Sequence, residues 1–202
     1  MELIVATKNN KKLKEIKAIL KGLKLKVTSL LDCKEKVKIV ENGKSFKENA
    51  VKKAVKVAKL TGKLSLGEDS GLCVDALNGA PGISSARFSG KNKSDIQNNL
   101  KLLKLLKGVP LNKRKAYYVC VVALADKNGL VGVVEGKCFG KISLTAKGRN
   151  GFGYDPLFLI PKYNKTFGQL SQKIKHSMSH RYHALKKARK AIENYIVKRL
   201  ED

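Results

Sequence analysis

The chain contains no tryptophan, only four prolines and four cysteines, and far too few acids to balance its bases: 16 Asp+Glu against 43 Lys+Arg in 202 residues. Each shortage excludes something. Cys33, Cys73, Cys120 and Cys138 stand far apart with no CxxC or Cys/His pairing, which excludes a zinc finger and a disulfide scaffold and predicts reduced, structural thiols. No apolar run approaches the ~20 residues that a membrane helix needs. The first residues, Met1-Glu2-Leu3-Ile4-Val5-Ala6, have no basic stretch before their apolar part, so they read as a core strand of a cytoplasmic protein and not as a signal peptide. Repeats, low-complexity tracts and Pro/Ser-rich linkers are also missing. With 43% hydrophobic residues the chain is globular and long enough to bury a core.

The formal net charge of +27 would draw in polyanions, whether nucleic acids or nucleoside triphosphates. Yet the lysines are spread along the chain, many on the polar faces of predicted helices, as at Lys11, Lys12, Lys14, Lys17 and Lys21. A solvated lysine-rich surface follows, with no stable nucleic-acid partner. Leu3 to Ala6 reads as a strand, and Leu13, Ile16, Ile19 and Leu20 fall at helical spacing. Ser45-Phe46-Lys47-Glu48 is a capping box, with Glu48 expected to reach back to the Ser45 N–H. Ser94-Asp95 opens another helix, with Leu100, Leu103 and Leu106 on its apolar side. Ala116 to Ala125 and Leu130 to Val134 form a hairpin, and a basic helix runs from Met178 to about Arg199. Helices alternating with strands, then a hairpin, predict an α/β fold around a mixed sheet.

Four clusters carry chemistry. Gly67-Glu68-Asp69-Ser70-Gly71 follows the apolar Leu64 to Leu66 and precedes a second apolar run. Strand, acidic corner and strand would hold adjacent carboxylates for a hard cation or a water, or would be an ordinary hairpin end with solvated acids. Ala6-Thr7-Lys8-Asn9-Asn10-Lys11-Lys12 joins a strand to a helix start, where free backbone N–H groups bind phosphate or are simply capped. It lacks the spacing of a P-loop. Gly148 to Pro156 sets Phe152 and Tyr154 between glycines beside Asp155, able either to stack on a base or to plug the core. Lys175 to His183 holds all three histidines. They lack the further ligand and acidic surroundings zinc would want, and Ser179-His180-Arg181 reads better as a donor cluster for base carbonyls or phosphate.

In order, these pieces resemble the Ham1/ITPase family, the pyrophosphatases of inosine and xanthosine triphosphates. The resemblance rests on Thr7, Asn9 and Lys12; Glu41-Asn42-Gly43 with Phe46 and Glu48-Asn49-Ala50; Glu68 to Leu77; Ala80-Pro81-Gly82 with Ser85-Ala86-Arg87; Gly151 to Pro156; and Ser179-His180-Arg181 with Ala184-Leu185. It implies an elongated mixed β-sheet with flanking helices, one domain over 1–202 with two lobes around a central substrate cleft, and a homodimer. It further implies Mg²⁺-dependent hydrolysis of ITP, dITP and XTP to the monophosphate and pyrophosphate. By resemblance Asp69 is the general base, Glu41 and Asp69 hold the magnesium with Glu68 nearby, and Thr7, Lys8, Asn9, Asn10, Lys11 and Lys12 cradle the triphosphate. Ser70 would touch the nucleotide, while Phe152, Gly153, Tyr154, Asp155, Lys175, His180 and Arg181 would surround the purine.

The chain departs from the family's common pattern at Lys11, Glu68, Gln169 and His176. Two rival readings follow from the same residues. One keeps the fold and moves the substrate to a modified nucleotide, as in Maf-like proteins. The other is a basic nucleic-acid-binding module, which leaves the paired acids at Glu68-Asp69 unexplained.

Overall fold

The computed structural model describes residues 1–33, 37, 39–90 and 94–201. Strands β1 (Glu2–Val5), β2 (Lys26–Ser29), β3 (Leu64–Val74), β4 (Lys115–Asp126), β5 (Gly129–Ile142), β6 (Phe158–Ile160) and β7 (Lys165–Thr166) form a seven-stranded sheet in the order β2-β1-β3-β4-β5-β6-β7. The helices are α1 (Asn10–Ile19), α2 (Phe46–Thr61), α3 (Asp95–Leu105), α4 (Gln172–Met178) and α5 (His180–Glu201). β1 pairs in parallel with both β2 and β3, whereas β6 pairs antiparallel with β5 and β7. The sheet is mixed, as the alternation of elements predicts. No helix among the described residues is long and apolar enough to cross a membrane.

The chain divides into two compact units, one of residues 1–69, 120–136 and 181–202 and one of residues 70–119 and 137–180. The first packs Leu3, Val5, Leu13, Ile16, Leu66, Val122 and Leu124 with Leu185, Ala188 and Ile192 of α5. The second gathers Leu72, Val74, Leu102, Leu106, Tyr118, Phe158 and Phe167. In α3 the inward stripe is Asn98, Leu102 and Leu106, at i, i+4 and i+8, and it leaves out Leu100, which was expected inward and is 56% exposed.

The acidic pair departs furthest from expectation. It does not sit at a hairpin end: β3 runs unbroken through Glu68, Asp69 and Ser70 for eleven residues. Gly67 has no positive φ, and its role is packing. A Cβ there would overlap the carbonyl oxygen of Ala50 and the nitrogen of Ala54, so α2 can lie against β3 only where the strand has no side chain.

The other cap differs by one residue. Ser45 Oγ accepts from the Glu48 N–H, but Glu48 Oε2 accepts from the Lys44 N–H instead of the Ser45 N–H. The basic C-terminal helix begins two residues later than expected, at His180, because Met178 closes the short α4.

Candidate active site

In the parallel part of the sheet the chain leaves β1 towards β2 on one side and returns to β3 on the other. Such a switch of direction opens a crevice at the carboxyl ends of the strands, the usual ligand position in α/β sheets. The loop from Thr7 to Lys12 leaves β1 at this end, and the Ala6 N–H donates to Leu66 O of β3, so the acidic pair follows directly alongside. Lys12 Nζ lies 2.8 Å from Glu68 Oε2.

The loop holds its own shape. Asn9 is the N-cap of α1, and its Oδ1 accepts from the N–H groups of Lys11 and Lys12, while Thr7 Oγ1 accepts from the Asn9 N–H. Two of the helix-start donors expected for phosphate are thus already engaged by Asn9. What the loop presents outward is side chains, with Lys8, Asn10 and Lys11 exposed.

Asp69 is 7% exposed. Its Oδ2 accepts from Asn49 Nδ2 at 3.1 Å, and its Oδ1 lies 3.2 Å from Lys53 Nζ. Asn49 and Lys53 are i, i+4 on α2, hence on one face, and the packing at Gly67 brings that face onto β3. Lys53 Nζ also donates to Glu68 O at 3.0 Å and lies 3.1 Å from Glu41 Oε1. Asn49 Oδ1 in turn accepts from the Gly43 N–H, tying the Glu41-Asn42-Gly43 loop to the same centre.

Burial raises the Asp69 carboxyl above the ordinary range, against the lowering effect of Lys53 and Lys12. For Lys53, burial opposes the charge, but Asp69, Glu41 and Glu68 together outweigh it and raise the ammonium. A carboxylate so poised and rigidly held can orient a water and take its proton.

Magnesium fits these donors. Glu41 and Asp69 each place a carboxylate oxygen near the same Lys53 cation, and Mg²⁺ is normally held by one or two carboxylates, with waters and substrate phosphates completing its shell. Among the described residues no group of three or more His, Cys, Asp or Glu side chains forms a ready-made cage, and Mg²⁺ does not require one.

Glu68 and Arg181 form one buried ion pair. Arg181, expected beside the purine, is 1% exposed, with Nη2 at 3.0 Å from Glu68 Oε1 and Nη1 paired to Glu15. Its guanidinium stays charged because the two carboxylates outweigh the cost of burial. Cys120 Sγ donates to Glu68 Oε1 at 3.4 Å, and its thiol is pushed well up by burial. Glu68 is therefore fixed between Lys12, Arg181 and Cys120.

In the second unit, Asp155 and Lys175 are both buried and form a 2.6 Å ion pair. Asp155 Oδ2 also accepts from the Phe152 N–H, and Lys175 Nζ lies 4.8 Å from the centroid of the half-buried Phe152 ring. The Gly153 N–H donates to Asp95 Oδ2. Tyr154 is a core residue whose hydroxyl donates to Ser85 O. His180 stacks on Tyr118 at 4.6 Å between centroids and 13° between planes. Phe152, Gly153, Asp155 and Lys175 therefore meet around one loop, while Tyr154 plugs the core and His180 stacks on a core ring. Ser70 is half-buried, immediately after Asp69 in β3.

Sequence reasoning assigned no role to Lys53, Asn49 or Glu15. Lys53 is hidden among 43 basic residues, and its one signal is its place four after Asn49 in the otherwise apolar face of Ala50, Ala54 and Val57.

Comparison with known proteins points to one family. A model of the Ham1 family matches residues 3–191. A dITP/XTP pyrophosphatase of Desulforamulus reducens is 49% identical over 188 residues, covering 93% of this chain and 94% of that protein. A HAM1 protein from Coxiella burnetii superposes with a TM-score of 0.88 at 36% identity, covering 96% and 99% of the two chains. The Staphylococcus aureus Ham1 protein gives 0.87 at 37%, covering 96% and 100%. With its paired acids on β3 and nearly its whole length matched, the chain belongs to the Ham1 family.

Proposed function

We propose that this protein hydrolyses the non-canonical purine nucleoside triphosphates dITP, XTP and ITP to the monophosphate and pyrophosphate. The observation that carries the reading is the buried Asp69 carboxylate, held by Asn49 and Lys53, in a chain 49% identical to a dITP/XTP pyrophosphatase. Asp69 orients a water and accepts its proton as the oxygen attacks. The bond between the α- and β-phosphates breaks, and pyrophosphate leaves with the electron pair. Asn49 fixes which Asp69 oxygen faces the water, and the Lys53 charge opposes the rise that burial gives the carboxyl. Lys8, Lys11 and Lys12 bring positive charge to the polyphosphate, where stabilising the charge of the transferring group is most of the catalysis.

Glu41 and Asp69 would hold Mg²⁺, which supplies further charge neutralisation when bound. Selectivity for a 6-keto purine over ATP needs buried donors that a 6-amino group would leave unpaired. Lys175 and His180, both buried, are given that role by the family resemblance.

Pyrophosphate release is the test, from dITP, XTP, ITP, dTTP and ATP with and without Mg²⁺. The expected result is release from the first three only, dependent on Mg²⁺ and lost in Asp69→Asn. Wild-type turnover in Asp69→Asn would overturn the mechanism. Release from dTTP in place of dITP would overturn the substrate class.

A further inference from the structure

The strongest feature outside the site is the outer face of β4 and β5 in the second unit. Only two residues connect these adjacent strands, so the pair is antiparallel and its side chains alternate between faces. Ala116, Tyr118, Cys138 and Ile142 point into the core of that unit. The opposite face therefore carries Lys115 and Tyr117 from β4, with Lys137, Phe139 and Lys141 from β5. Phe139 is 69% exposed. Its ring lies 5.7 Å from that of Tyr117, and Lys137 Nζ lies 5.4 Å from the Tyr117 centroid. Lys141 pairs in register with Leu159 of β6, which extends the apolar floor.

We infer that this face is a platform for single-stranded nucleic acid. Two neighbouring rings on an open strand pair, bracketed by three lysines, combine the two elements such binding uses: π-faces on which bases stack and cations that follow the backbone. A single strand can splay its bases onto the rings, whereas a duplex keeps them stacked and offers phosphate alone. A second copy of the chain is the rival occupant, set apart by the solution mass. The face was not legible as a patch in the sequence because Tyr117 and Phe139 are brought together only by strand pairing. It is compatible with the expectation of no stable nucleic-acid partner: the predicted binding is weak and salt-sensitive, distinct from nucleotide hydrolysis.

Fluorescence anisotropy of labelled oligothymidine and oligouridine at low salt tests this. Phe139→Ala and Tyr117→Ala should each weaken binding about tenfold while leaving pyrophosphate release unchanged. Replacing Lys115, Lys137 and Lys141 together by glutamine should reduce the slope of log affinity against log salt by about 2. Replacing Lys47, Lys56 and Lys59 of α2 in the same way should leave it unchanged. Equal effects of the two lysine sets, with no effect of Phe139→Ala, would mean diffuse charge and overturn the proposal. It also fails if excess dITP displaces the oligomer from Asp69→Asn protein, which would put the strand in the nucleotide site. No oligomer binding by wild type, with Phe139→Ala lowering the solution mass from dimer to monomer, would make the face an interface between copies.

Discussion

Each unit of the molecule buries one lysine against one aspartate, yet the two pairs are built for opposite ends. Lys175 and Asp155 lie 2.6 Å apart with both side chains almost fully covered, and the second Asp155 contact is a backbone N–H of its own loop. That pair fastens the Phe152 loop, with the Lys175 ammonium over the Phe152 ring. Lys53 and Asp69 lie further apart, at 3.2 Å, and the lysine is shared with Glu41, whose side chain is 44% exposed. The second pair has an excess of negative charge and a carboxylate that reaches solvent. The difference teaches that a buried ion pair becomes reactive when its cation is divided among more acids than it can satisfy.

The largest expected effect breaks the open pair. Asp69→Asn keeps the shape and loses the base, so turnover of dITP should fall by about 10²–10⁴-fold, read as pyrophosphate release. Thermal unfolding should remain cooperative. Breaking the Lys175–Asp155 pair should act on stability as well. Lys175→Met leaves Asp155 buried and uncompensated, at a cost of about 3–5 kcal/mol in denaturant unfolding. Adding Asp155→Asn should recover part of that loss; a double variant no more stable than the single one would remove the pair as an anchor.

How much of this was legible divides along the same line. The caps at Ser45 and Ser94 and the alternation of strands and helices depend on neighbours within four residues, which a sequence displays. The order of motifs made the family legible as well. Lys53 with Asp69, Arg181 with Glu15, and Tyr117 with Phe139 are separated by 16, 166 and 22 positions. Only packing joins them. Arg181 could not be recognised as buried, because an arginine at a helix start looks the same whether it faces solvent or two carboxylates. The acidic pair looked like a corner because the need for glycine at Gly67 comes from α2, far away in sequence.

Smaller effects sharpen the contrast. Lys12→Ala removes a cation next to the phosphate loop and should raise KM for dITP about tenfold with kcat less affected. An unchanged KM would take Lys12 out of the site. The acid limb of kcat/KM gives the finest test. Asp69 works deprotonated, and burial raises its folded value above that of an ordinary aspartate, so activity should be lost on acidification at a higher pH than such an aspartate would give. Lys53→Gln removes the largest opposing influence and should move that limb further up; a limb that stays in place would separate Lys53 from the base. The sign carries over to folding. A raised folded value favours the protonated form, so the contribution of Asp69 to stability is greatest at low pH and is lost as pH rises through that value.

Gly67 has a use beyond explaining how α2 comes to lie on β3. Alanine, serine and valine at that position form a graded wedge under one helix turn, and none of them alters a charge. Each would widen the gap between Asn49 and Lys53 on one side and Asp69 on the other by a different amount. The series would act as a ruler, reporting how steeply turnover declines as the aspartate is drawn away from its two helix-borne partners.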